Sequence, residues 1–126
     1  MPRVKTDPEK NRLYLTFMPM SADELSHELF EVVRAVRTLS PGFTCLTELA
    51  AVPEQTAQET RFLRLIMEFI ALMGVSRVVR VGSPEIHDQW NKMSQERAGY
   101  TARWAETRDE AEKILDAATK QAGDLK

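Results

Sequence analysis

A chain of 126 residues is about one domain by length, and at that size folding buries roughly two thirds of the surface the unfolded chain exposes, enough for a core without staples. With 43% hydrophobic and 29% charged residues the disordered and fibrous classes are excluded, and a net charge of -2, with basic residues scattered among acids, argues against a dedicated nucleic-acid binder. The single cysteine, Cys45, rules out an internal disulfide or a thiolate metal cluster, and the longest apolar run falls far short of the roughly 18 residues a membrane span needs.

Val4 to Thr6 and Arg12 to Met18 read as two strands joined by a polar turn carrying Pro8 and Asn11. In the second strand Leu13, Leu15 and Phe17 share one face and Tyr14, Thr16 and Met18 the other, a pattern unlike that of an exposed edge. Pro19 ends this strand. Ser21 with Glu24 makes a capping box that opens a helix from Ser21 to Leu39, with the apolar stripe Leu25, Leu29, Val32, Val33, Val36 and Leu39. Pro41-Gly42 stops it. Phe43 to Leu49 is a third strand, followed by a polar stretch around Pro53. A second helix from Gln58 to Met73 offers Phe62, Leu63, Ile66, Phe69, Ile70 and Met73 to a sheet, and Gly74 suits its C-cap.

Ser76 to Val81 has the near-continuous β-branched character of a strand covered on both faces. Ser83 as N-cap with Pro84 at the first helical position starts a third helix, with Ile86, Trp90 and Met93 inward and Gly99 at its end. Tyr100 to Trp104 alternates as a fifth strand. Thr107 and Glu110 form a second capping box for a last helix that buries Ala111, Ile114, Leu115 and Ala118, and the polar stretch from Thr119 to Lys126 is expected to fray. The predicted architecture is α/β, a mixed five-stranded sheet with four helices in the order ββαβαβαβα, formed by residues 1–126 as a single domain. The polar N-terminal stretch with Arg3, Lys5, Asp7 and Glu9 lacks the pattern of a signal peptide, so a cytoplasmic location is expected.

Three segments resemble the STAS domain, the fold of bacterial anti-sigma-factor antagonists. They are Leu46-Thr47-Glu48-Leu49, similar to the family's strand ending in an acidic residue and Leu; Gly74-Val75-Ser76-Arg77-Val78-Val79, similar to its glycine-led fourth strand; and Thr107-Arg108-Asp109-Glu110-Ala111, similar to the opening of its last helix. Within that fold the chain is most similar to the divergent stand-alone SpoIIAA-like proteins. The resemblance implies a regulatory module that acts by binding another protein. One departure stands at the family's switch: where antagonists carry an Asp-Ser-Ser-Gly type motif with a phosphorylated serine, this chain reads Glu54-Gln55-Thr56-Ala57-Gln58-Glu59-Thr60. Thr56 and Thr60 are the phosphate acceptors available there, disfavoured by Glu54 and Glu59 and partly favoured by the helix N-terminus, and the more common reading of Thr56 is an N-cap.

Candidate chemistry is sparse. Asp23, His27 and Glu31 lie at i, i+4 and i+8 on the first helix and are spaced to hold a divalent ion, but they fall opposite Leu25, Leu29 and Val32, where a solvated stripe is expected and no metal or other cofactor. His87, beside Glu85 and Asp88, reads as a surface histidine, and Cys45 as a core filler. No nucleophile elbow or phosphate-binding glycine loop is present in the sequence. Trp90, Tyr100 and Trp104 read as core or interface aromatics. Glu48 and Arg80 are charges near the ends of apolar strands that parallel pairing is expected to bring together. With Thr56, Thr60 and Ser83 they form the expected ligand or partner-binding site, on the rim where open α/β sheets favour ligands. The functional expectation is a non-enzymatic regulatory or protein-interaction module whose partner is another protein or, as a weak homodimer, itself. The alternative is a carrier or sensor of a small apolar or anionic ligand, with Phe62, Met67, Phe69 and Met73 lining an apolar pocket; an enzyme ranks third. The surplus apolar side chains Leu65, Met67 and Leu72 motivate the dimer.

Overall fold

The computed structural model describes residues 3–18, 20–49, 56–97 and 102–124. Its elements run β1 (Val4–Asp7), β2 (Arg12–Phe17), α1 (Ala22–Val36), β3 (Thr44–Leu49), α2 (Ala57–Leu72), β4 (Arg77–Val81), α3 (Pro84–Arg97), β5 (Arg103–Ala105) and α4 (Arg108–Asp124). The expected roles of Pro19, Pro53, Gly99 and Tyr100, and of the side chains of Ile86 and Met93, lie outside the described residues.

Local chemistry accounts for the boundaries. In the β1–β2 turn the Asp7 carboxylate accepts from the backbone N–H of Glu9 and Lys10, and Asn11 takes a left-handed conformation at φ 51°. Its side chain also pairs with the backbone of Ser40, pinning the hairpin to the exit of α1. Both halves of the Ser21–Glu24 capping box are made. Gly74, at φ 92°, follows the end of α2 and lets the chain turn into β4. At the start of α4 the Thr107 hydroxyl accepts from the Glu110 N–H, while the Glu110 carboxylate accepts from Glu106, one residue earlier than a full box requires. The helix then runs to Asp124, through most of the segment that polarity alone marks as frayed. β5 covers Arg103–Ala105, so it reaches one residue beyond the expected Trp104, Ala102 precedes it, and Tyr100 and Thr101 lie outside the described residues.

The sheet order is β1-β2-β3-β4-β5, with β1 antiparallel to β2 and every later pair parallel. Alternation divides the sheet into two chemically different faces. One carries Leu13, Leu15, Phe17, Cys45 and Val78 and packs against α1, α2 and the Trp90 side of α3, with the Trp90 ring 5.0 Å from that of Phe17. Leu25, Val32, Val36, Leu63, Ile66, Met67 and Ile70 complete this core, whereas Leu29 and Phe62, expected inside, are only partly buried at its edge. The other face carries Leu46, Val79 and Ala105 and is covered by α4 through Ala111 and Leu115.

That second face has little apolar surface, and a polar clamp supplements it. Arg12, 0% exposed, donates from Nε to Thr44 Oγ1 at 3.0 Å and from Nη1 to Glu112 Oε1 at 2.7 Å, and its Nη2 lies 3.0 Å from Asp116 Oδ1. The Tyr14 hydroxyl donates to the same Glu112 carboxylate at 2.9 Å. Burial and that hydrogen bond both raise the Tyr14 pKa.

Two stability predictions follow from these faces. Ile66→Ala should cost about 2–5 kcal/mol by leaving a cavity; a loss under about 0.5 kcal/mol in denaturant melts would mean that this face of α2 is not packed. Glu112→Leu should cost about 3 kcal/mol or more, because it strips a buried guanidinium of its shortest partner, and hydrogen exchange should then accelerate in α4 before the sheet.

Candidate functional site

Register decides the fate of the expected Glu48–Arg80 pair. Thr47, not Glu48, is the partner of Arg80 across β3 and β4, so Glu48 and Arg80 point to opposite faces of the sheet. The expectation that they meet is corrected. Glu48 lies on the α4 side, 3.1 Å from Arg108, whose guanidinium also stands over the Tyr14 ring at 5.2 Å. A shallow trough of about 160 Å³ opens there, walled by Lys5, Tyr14, Thr16, Glu48 and Arg108.

Arg80 is 1% exposed under α2 and α3, beside Thr47, Ile66 and Trp90. It also lies close enough to His87 to affect that residue's ionisation. His87 is buried rather than superficial: α3 turns it toward the sheet despite its acidic neighbours in sequence. Burial first, and the Arg80 charge second, lower its pKa, which favours the neutral imidazole. Thr56 is the N-cap of α2, its hydroxyl accepting from the Glu59 N–H at 3.1 Å. Thr60 stands one turn on, and the Ser83 carbonyl accepts from His87 at the start of α3. The five expected residues therefore share one rim but not one cleft: Glu48 is on one face, Arg80 on the other, and Thr56, Thr60 and Ser83 mark helix entries. The crevice expected beside residues 50–55 lies outside the described residues.

Of the side chains expected to line an apolar pocket beside α2, Met67 alone faces the void there, about 10 Å³ among Leu63, Ile66, Ile70 and Trp90 and about the room of one water, while Phe62 and Phe69 sit at the core edge and Met73 is exposed. Cys45 fills space in the same core, and burial pushes its thiol up to about 11, which makes it inert. At the opposite end of the α4 face, Arg77, Arg103 and Lys113 ring a wide cleft of about 350 Å³ floored by Ile114 and Ala117. All three cations there are exposed to solvent.

Glu28 is the functional candidate that sequence reasoning missed. It occupies a core-facing position of α1 between Leu25 and Val32, 3% exposed, and neither carboxylate oxygen has a hydrogen-bond partner. It lines a pocket of about 190 Å³ against the start of β1 with Arg3, Val4, Glu24, His27 and Glu31. Arg3 donates to Glu24 at 3.1 Å and reaches Met20 Sδ at 3.2 Å, so its guanidinium is already engaged. Burial raises the Glu28 pKa to about 7, the Arg3 charge opposing and Glu24 and Glu31 adding to the rise. Asp23 and His27 are exposed, and among the described residues no group of three ligating side chains is placed to hold a metal ion.

Comparison of the chain with known protein families, with characterised proteins and with solved structures finds no match. No helix among the described residues is long and apolar enough to cross a membrane.

The Glu28 carboxyl sets a pH dependence with a definite sign. Its folded pKa is raised, so the stability it confers as a neutral acid is fully present below its ordinary pKa and is lost as pH rises through about 7. Denaturant melts between about pH 5 and 8 should show the wild type losing up to about 3 kcal/mol relative to Glu28→Gln. Parallel curves for the two proteins would show that the carboxyl is solvated.

Proposed function

We propose that the protein is a non-enzymatic interaction module of SpoIIAA-like type that presents α2, with the adjoining face of α1, to a protein partner. The observation that supports this most is the exposure of large apolar side chains on these two neighbouring helices. Leu72 is 83% and Phe30 67% exposed, and Leu65 and Met73 join them on α2. Single exposed apolar residues are ordinary, but several on helices packed side by side form the kind of surface that association covers. The helix order and the parallel crossovers are consistent with the resemblance, whose switch motif corresponds to residues 54–60, at the start of α2. The apolar-ligand form of the carrier alternative is less favoured, because the void behind α2 is too small for such a ligand.

A second copy of the chain is the partner to test first. Sedimentation across the micromolar range should show a weak dimer, and Phe30→Glu with Leu72→Glu should weaken it at least about tenfold, or 1.4 kcal/mol, with the melting temperature unchanged because both sites are exposed. A wild-type monomer at high micromolar concentration removes self-association. If crosslinking in cells then captures the same proteins with wild type and double variant, this face is not the interface.

A further inference from the structure

A buried charge is kept in a fold either because the fold satisfies it or because something outside the fold does. Glu28 is not hydrogen-bonded from within: its oxygens have no partner, and Arg3, whose charge offsets part of the burial, is itself held by Glu24 and Met20. A leucine at this position would continue the stripe from Leu25 to Val32 without the desolvation penalty, so packing does not explain the carboxylate. The walls repeat the same sign of charge, with Glu24 and Glu31 one turn to either side of Glu28 and His27 beside it.

We propose that the pocket between α1 and the start of β1 is a binding site for an organic cation, a primary ammonium group on a short apolar stem. Both Glu28 oxygens are closed to solvent in the free protein, so binding turns the carboxylate into the pocket, where the ammonium pairs with Glu28 and Glu31 and the stem lies against Val4. A volume of about 190 Å³ suits a small organic group, and the absence of any metal-holding group of three among the described residues separates this site from one for a bare metal ion. An ammonium, with three donors, supplies hydrogen bonds to both carboxylates at once. The charged groups facing Glu28 are Glu24 and Glu31 from α1 and Arg3 from the flank of β1, with the His27 imidazole on the pocket wall. β1 itself brings the uncharged Val4 to that side. Ammonium binding requires the ionised carboxylate, so the ligand and a proton compete for Glu28. This site is separate from the apolar face of α1 and α2, and either can fail without the other.

The same ammonium chemistry comes from a free amine or from a lysine side chain of another protein. The probes are therefore n-butylammonium and Nα-acetyl-lysine N-methylamide, with the uncharged Nε-acetylated form of the latter as control. Titration into protein carrying carbon-13 in its glutamate carboxyls reads the Glu28 resonance directly. The expected result is a millimolar or tighter shift of the Glu28 and Glu31 signals, none with the acetylated control, and binding that tightens about tenfold between pH 6 and 8 as Glu28 ionises. Glu28→Gln, which keeps the shape of the side chain, should weaken binding at least about tenfold and remove the pH dependence. Binding of the lysine derivative alone identifies a protein lysine as the ligand; binding of both identifies the ammonium group as sufficient. The proposal is overturned if neither amine moves the Glu28 resonance, or if folded Glu28→Gln binds as well as the wild type.

Discussion

The ion pair between Arg12 and Glu112 decides whether the sheet has one covered face or two. Three helices crowd the face of Leu15 and Phe17, and apolar area supplies most of that core, with Thr47, Arg80 and His87 buried in it. The opposite face relies on α4, which buries two small or medium side chains, Ala111 and Leu115, with part of Ile114. A contact so thin fixes neither the angle nor the rotation of a helix. The guanidinium does, because its planar fork must meet Thr44 on the neighbouring strand and Glu112 and Asp116 on successive turns of α4 at the same time. From Glu112 the network continues through Tyr14 to Arg108 and Glu48, so one chain of polar contacts seats α4 along its first three turns.

Arg12 and Glu28 form an instructive contrast. Both are buried charges on elements next to the hairpin edge of the sheet, and both bear the desolvation penalty of leaving water. Arg12 meets three partners, Thr44, Glu112 and Asp116, and although burial is the largest influence and pulls its pKa down, the contacts with Glu112, Asp116 and Tyr14 together leave it raised. Glu28 has no hydrogen bond to set against it, only the nearby charge of Arg3. Satisfaction within the fold marks the first as architecture, and its lack marks the second as a place where the fold expects company.

How far the sequence reveals all this depends on the range of each interaction. Signals confined to one turn or one strand are legible: the Ser21–Glu24 box, the glycine after α2, the N-cap at Thr56 and the alternation of Leu13, Leu15 and Phe17 all appear in the structure as the sequence indicates. Interactions that join distant segments are not. Arg12 begins a strand, where an arginine ordinarily reaches solvent, and its partner stands 100 residues later. Glu48 and Arg80 look adjacent until the register sets Thr47 opposite Arg80, and a one-residue offset in a sheet is a change of face. His87 was obscured by its charged sequence neighbours, although it lies three residues from the buried Trp90 and so on the same side of α3. Glu28 was within reach of pattern analysis, since it falls three residues after Leu25 and four before Val32, on the apolar stripe rather than the polar face.

The order of strands across the sheet is also their order along the chain. A nascent chain leaving the ribosome can therefore add strands one at a time, each pairing with the strand just made, without leaving a gap between earlier strands for a later one to fill. The exception is the face of Arg12, whose lid is the last helix of the described chain. Until α4 arrives, Leu46, Val79 and the Arg12 guanidinium stand in water, and the half-built protein is a one-faced sheet. Among the described elements the hairpin precedes its cover by the length of the whole sheet, so the Arg12 clamp joins the first strands to the last helix.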